Sequence, residues 1–120
     1  MDLSSVASIA QHIANNVATI GANLDHCTVP GRVENSDVRI NEIEIGMGIH
    51  NEPGYKRISP VPPYPELISE LLSQLLSTSD EDRSFITRQA GDKVVLLVNN
   101  LGGISNLEIN VLTNETIQQL

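Results

Sequence analysis

Between Glu42 and His50 the side chains alternate in kind. Ile43, Ile45, Met47 and Ile49 interleave with Glu42, Glu44, Gly46 and Gly48. A repeat of two belongs to a strand, because successive side chains point to opposite faces. It puts Glu42, Glu44, Gly46, Gly48 and His50 on one side and the aliphatic residues on the other. The run ends at Pro53-Gly54, a strong turn signal. The chain is thereby committed to a sheet with an apolar face that other elements must cover.

Helices are the expected cover. Val6, Ile9, Ala10, Ile13, Val17 and Ile20 recur at spacings of three and four, which predicts an amphipathic helix over residues 4–20. Asp2, Ser4 or Ser5 would cap it, and Gly21 would stop it. A second apolar stripe, Leu67, Ile68, Leu71, Leu72, Leu75 and Leu76, predicts a helix over 65–77 with Pro65 in its first turn. Residues 22–31 are β-compatible, 32–41 read as a polar loop, and 56–64, with three prolines, as a rigid connector. Residues 77–92 read as an acidic surface loop. KVVLLVNN, residues 93–100, predicts a strand buried on both faces. Ser105 followed by Glu108 is a capping-box pattern, which favours a helix over 105–120, although its β-branched residues also suit a strand. The order helix, strand, strand, helix, strand, helix argues for an α/β fold: a layered sheet with helices on its faces.

Composition narrows the function. The net charge is −8, from 15 acidic and 7 basic residues, so a nucleic acid would be repelled by the average field. Tyr55, Tyr64 and Phe85 are the only aromatic residues, too few for a base-stacking surface. Cys27 is the only cysteine, so no intrachain disulfide and no cysteine-based zinc site can form. No segment approaches the roughly 20 apolar residues of a membrane span, and the N-terminus has no basic region before an apolar run. The expectation is a cytoplasmic chain that binds neither nucleic acid nor membrane.

Chemistry concentrates around His50. Glycine in a strand often marks a close approach by a ligand or another backbone, and strand ends of α/β sheets are common ligand sites. Histidine there can be a general base, a metal ligand or a nucleophile. The other reading is a turn histidine bonded to the backbone near Pro53. Metal-ligand spacings such as H-E-x-x-H are missing, and Asp25-His26-Cys27 is only a compact cluster. G-x-S-x-G, the phosphate loop and G-x-G-x-x-G are absent. Gly102-Gly103 could present N–H groups to an anion, but more often forms a tight turn. His26 and Cys27 read as structural, with Cys27 buried. Asn99 and Asn100 are expected to bond the turn at Leu101-Gly102-Gly103. Glu52 is placed either to orient the His50 ring or to face solvent.

Three blocks resemble the dihydroxyacetone (glycerone) kinase family, in its order and near its spacing: TIGANLDHCTVPGR (19–32), EIGMGIHNEPG (44–54) and VVLLVNNLGGISNLE (94–108). The match is to the latter part of the substrate-binding K domain. Asn51 stands where many relatives have glycine, and the HNEPG form is fungal-like. The resemblance implies that the matching histidine, His50, bonds covalently through Nε2 to the ketone carbon of dihydroxyacetone as a hemiaminal. Glycerol, which has no carbonyl, would be excluded. It also implies ATP-dependent phosphorylation, with ATP and magnesium held by a separate L domain that these 120 residues do not match. No cofactor or metal site is expected on this chain.

The chain is accordingly expected to be a fragment, or partial subdomain, of the K domain. Its expected partners are dihydroxyacetone or a related small carbonyl, and either the missing kinase segments or a second copy of itself. The alternative is a truncated, non-catalytic carbonyl-binding or interaction module. A sheet without its neighbours exposes strand edges and apolar faces. The isolated chain should therefore be marginally stable and associate or aggregate; a monomer by light scattering with sharply cooperative unfolding would contradict this.

Overall fold

The alternation around Ile43 does form a strand, but a short one. In a computed structural model, which describes residues 1–27, 30–31, 38–79, 86 and 88–120, the order is α1 (Leu3–Ala14), β1 (Ala22–Asn23), β2 (Ile43–Ile45), β3 (Lys56–Ile58), α2 (Tyr64–Leu76) and α3 (Asn106–Gln119). The strands form one antiparallel sheet with β2 in the middle. Glu44 faces Asn23 across one seam and Arg57 across the other. The fold is mixed α/β, as expected.

Ile43 and Ile45 leave the same face of β2 and meet Leu67 of α2. Ile20, Ile58, Val61 and Leu71 close around them. β2 stops because Gly46 adopts φ 76°, a left-handed conformation that glycine takes without steric cost. Its N–H then reaches the Gly21 carbonyl at 2.8 Å. Period two therefore holds for Ile43–Ile45 and lapses before Met47.

Residues 56–58 correct the reading of 56–64 as a connector. The prolines begin only at Pro60, so the N–H groups upstream remain free to pair with β2. The first helix also ends sooner than its stripe suggests. Asn16 turns its side chain back to the His12 carbonyl (2.8 Å), and β-branched Val17, Thr19 and Ile20 follow. Of the candidate caps, Asp2 is the one used, accepting from the Ser5 N–H at 2.8 Å.

α3 settles the choice between helix and strand at the C-terminal end. Ser105 and Glu108 form the full capping box. The Thr113 and Thr116 hydroxyls donate to the carbonyls of Ile109 and Leu112, which absorbs their polarity within the helix. α3 lies against α2, and Gln119 donates to the Pro65 carbonyl at 2.9 Å.

Residues 93–100 depart most from expectation. They carry no strand pairing among the described residues, and Val95 is 98% exposed and Leu97 87%. An apolar run reports what a segment would bury, not whether a neighbour is present to bury it. α1 likewise has no buried residue. The Cα radius of gyration is 16.8 Å for 120 residues, against about 14 Å for a compact domain of that length. Residues 80–85 and 87 of the loop expected over 77–92 lie outside the described residues, as do residues 32–37.

Ile45 has no exposed surface. Ile45→Ala should cost about 2–5 kcal/mol of folding free energy, read as a lower urea midpoint.

Candidate functional site

His50 sits at the tip of the hairpin that joins β2 to β3, not at the end of a continuous strand. The Asn51 N–H donates to the Gly48 carbonyl (3.1 Å), and the Gly48 N–H donates to the Glu52 carbonyl (3.1 Å). Asn51 closes this turn at φ 61°, where glycine or asparagine is favoured over other residues. That conformation suits the asparagine found at this position.

Two side chains stitch the turn in place. Asn51 accepts from the Cys27 N–H (3.1 Å) and donates to the Cys27 carbonyl (3.0 Å). It thus copies a strand pairing with the segment after β1. On the other side, Glu52 accepts from the His50 N–H at 2.9 Å and lies 3.0 Å from the His50 Nδ1. The backbone N–H groups of Glu52 itself and of His50 hold its carboxyl below the usual carboxylate range, and the His50 ring adds to this. A carboxylate only accepts, so this contact calls for a proton on Nδ1, and in the neutral ring with that proton the lone pair lies on Nε2. The imidazole is 79% exposed.

The glycines do different work from the one their spacing suggests. A glycine in a strand suggests close approach by a ligand or another backbone. A Cβ built at Gly48 would lie 2.1 Å from the Glu52 Oε2, so the Glu52 carboxylate fills that space. Gly54 is equally confined: its Cβ would lie 2.4 Å from the Ile45 carbonyl oxygen.

Glu44 anchors the whole hairpin. It is buried, 1% exposed, on the face of β2 opposite Ile43 and Ile45. It accepts from the Gly54 N–H (2.6 Å) and from the Arg57 Nε (3.0 Å), and the His26 Nε2 lies 3.5 Å away. Burial, the largest single influence, acts to raise its pKa. The Gly54 N–H, the Arg57 charge and His26 together outweigh it and hold the carboxyl below its ordinary value. His26 is the satisfied histidine that was expected, but Cys27 is exposed, with its backbone N–H and carbonyl bonded to Asn51. Sequence reasoning missed Glu44: alternation places it away from Ile43 but says nothing about what covers that face.

An open cavity of about 960 Å³ borders the same turn, lined by Gly21, Cys27, Met47, Gly48, Asn51 and Leu75 among others. The His50 side chain does not line it. Beyond it, Asn100 accepts from the Gly102 N–H (2.9 Å) and donates to the Ile104 carbonyl (2.7 Å), so the Gly102-Gly103 pair is a turn. Among the described residues no helix is long and apolar enough to cross a membrane.

The Dak1 domain family model matches residues 1–120. The chain belongs to the Dak1 domain family. Among relatives of this Dak1 chain, the dihydroxyacetone kinase of Pichia angusta is 45% identical over 98% of it. Dihydroxyacetone kinase 1 of Saccharomyces cerevisiae is 49% identical over 95%. The triokinase/FMN cyclase of Homo sapiens is 33% identical over 98%. The dihydroxyacetone kinase of C. freundii has a similar structure, with a TM-score of 0.81 and 26% identity over 98% of the chain. The Dak1 chain spans about a fifth of these proteins' length: 21% and 20% of the two yeast enzymes, and 20% each of the human and C. freundii proteins.

The depressed Glu44 pKa fixes the sign of an acid effect. The unfolded carboxyl, near 4.5, binds a proton more readily than the folded one, so protonation favours unfolding. Glu44's contribution should be complete above about pH 4.5 and disappear as pH falls through the folded value. Glu44→Gln should cost about 1–3 kcal/mol at neutral pH and flatten this part of the acid profile, measured by urea unfolding at a series of pH values.

Proposed function

We propose that this chain carries the carbonyl-capturing part of a dihydroxyacetone kinase, with His50 as the nucleophile. The reading is supported by membership of the Dak1 domain family together with one piece of geometry. His50 stands at an exposed hairpin tip with Nδ1 held by Glu52 and Nε2 open.

In the step this implies, the Nε2 lone pair adds to the ketone carbon of dihydroxyacetone. The carbonyl π pair moves to oxygen, which takes a proton from water. The ring becomes an imidazolium beside the Glu52 carboxylate and returns to neutrality when the hydroxide left by that water takes the Nδ1 proton. One N–C bond forms, one C=O π bond is lost, and nothing is oxidised. Glycerol offers no such carbon. The tether fixes a terminal hydroxyl of the triose, and such positioning is a large part of phosphoryl-transfer catalysis.

ATP and magnesium would supply the phosphoryl group and its charge neutralisation. Among the described residues no three His, Cys, Asp or Glu side chains gather to hold a metal ion. The work assigned to this chain is to hold and orient the triose. Kinase segments beyond these residues, in the same or another chain, would complete the enzyme.

Dihydroxyacetone labelled with ¹³C at the ketone carbon should give a new tetrahedral carbon signal on the protein. Native mass spectrometry should show a labile adduct of one triose. Both should vanish in His50→Ala and with glycerol. An adduct that survives in a folded His50→Ala protein would refute the assignment.

A further inference from the structure

We propose that Gly48 and Glu52 form a single positioning unit that selects the His50 tautomer with its lone pair on Nε2. The inference rests on the reading of His50 as a carbonyl nucleophile, and extends it to residues that need not touch the triose. A free imidazole prefers its proton on Nε2, which would leave the wrong nitrogen basic. Here Glu52 bridges two donors of one residue, through Oε2 to the His50 N–H and through Oε1 to Nδ1. Such a bridge fixes the ring's rotation as well as its proton.

The bridge depends on an absent methyl group. A Cβ at position 48 would meet the Glu52 Oε2 at 2.1 Å, its Cδ at 2.9 Å and its Cβ at 3.0 Å. Gly48 has no positive φ, so alanine there is unstrained in the backbone. Oε2 and Cδ belong to a flexible carboxylate tip half exposed to solvent, and the Glu52 Cβ need give by only a few tenths of an ångström. Gly48→Ala should therefore keep the fold and evict the carboxylate. The exposed Nδ1–carboxylate contact has little value for stability. Its consequence lies in which nitrogen is free, and the ion pair strengthens when addition of the carbonyl makes the ring an imidazolium.

The test is long-range ¹H–¹⁵N NMR of the His50 ring in the full chain, together with the rate of adduct formation from labelled dihydroxyacetone. The wild-type ring should carry its neutral-form proton on Nδ1. Glu52→Gln and Gly48→Ala should each move the population toward Nε2–H and slow adduct formation about tenfold. The double variant should be no slower than either single one, since both remove the same contact. Unchanged ring nitrogens in both single variants, or additive losses of rate, would overturn the unit. The two readings fail separately. If the wild-type chain forms no adduct, the nucleophile assignment falls while the ring spectra still decide the tautomer claim.

Discussion

A single buried carboxylate organises this structure. Glu44 occupies the middle of the middle strand, and its oxygens are shared between the Gly54 N–H and the Arg57 side chain, with His26 close by. A carboxylate out of water is costly unless its lone pairs are met, so the groups that meet it are held where they are. Three separate stretches are gathered in this way: the segment after β1, the return leg of the hairpin, and β3. Arg57 also stands 3.8 Å from Glu42, which spreads its charge along the same edge of β2. On the far face of the strand, ordinary aliphatic packing against α2 does the complementary work.

The site is built outward from that anchor. Gly54 must be glycine because a Cβ there would run into the Ile45 carbonyl and the Glu44 side chain. Tyr55 then donates to the Ile45 carbonyl at 2.8 Å and starts the return leg. Between these fixed ends the turn has few conformations left, and Asn51 and Glu52 remove most of those. The histidine is well placed although its ring is exposed, because Glu52 holds both its backbone N–H and its Nδ1.

Much of this was legible in the residues. Helices at both ends of 64–120, the capping box at Ser105 and the core strand at Ile43 all followed from spacing. The Glu52 contact is one of the two readings its place beside His50 allows. The misses share a cause. Alternation was extended through Met47 and Ile49 because glycine leaves the pattern of its neighbours undisturbed, while its own φ can end a strand. Lys56–Ile58 hid behind the prolines that follow. The run at 93–98 reads as buried because its residues are apolar, yet burial needs a second surface. The glycine at 48 looked like room for a ligand, and it is room for the chain's own carboxylate.

The hairpin that bears His50 runs only from Ile43 to Ile58, and its stitches within that span join near neighbours along the chain. Closing so short a loop gives up little chain entropy, and local contacts form early in folding. Apart from the Asn51 bonds to Cys27 and the His26 contact with Glu44, the loop that bears His50 is thus held by contacts close along the chain. Its shape is written into a short stretch of polypeptide, so it can arise during synthesis before more distant segments have emerged to meet it.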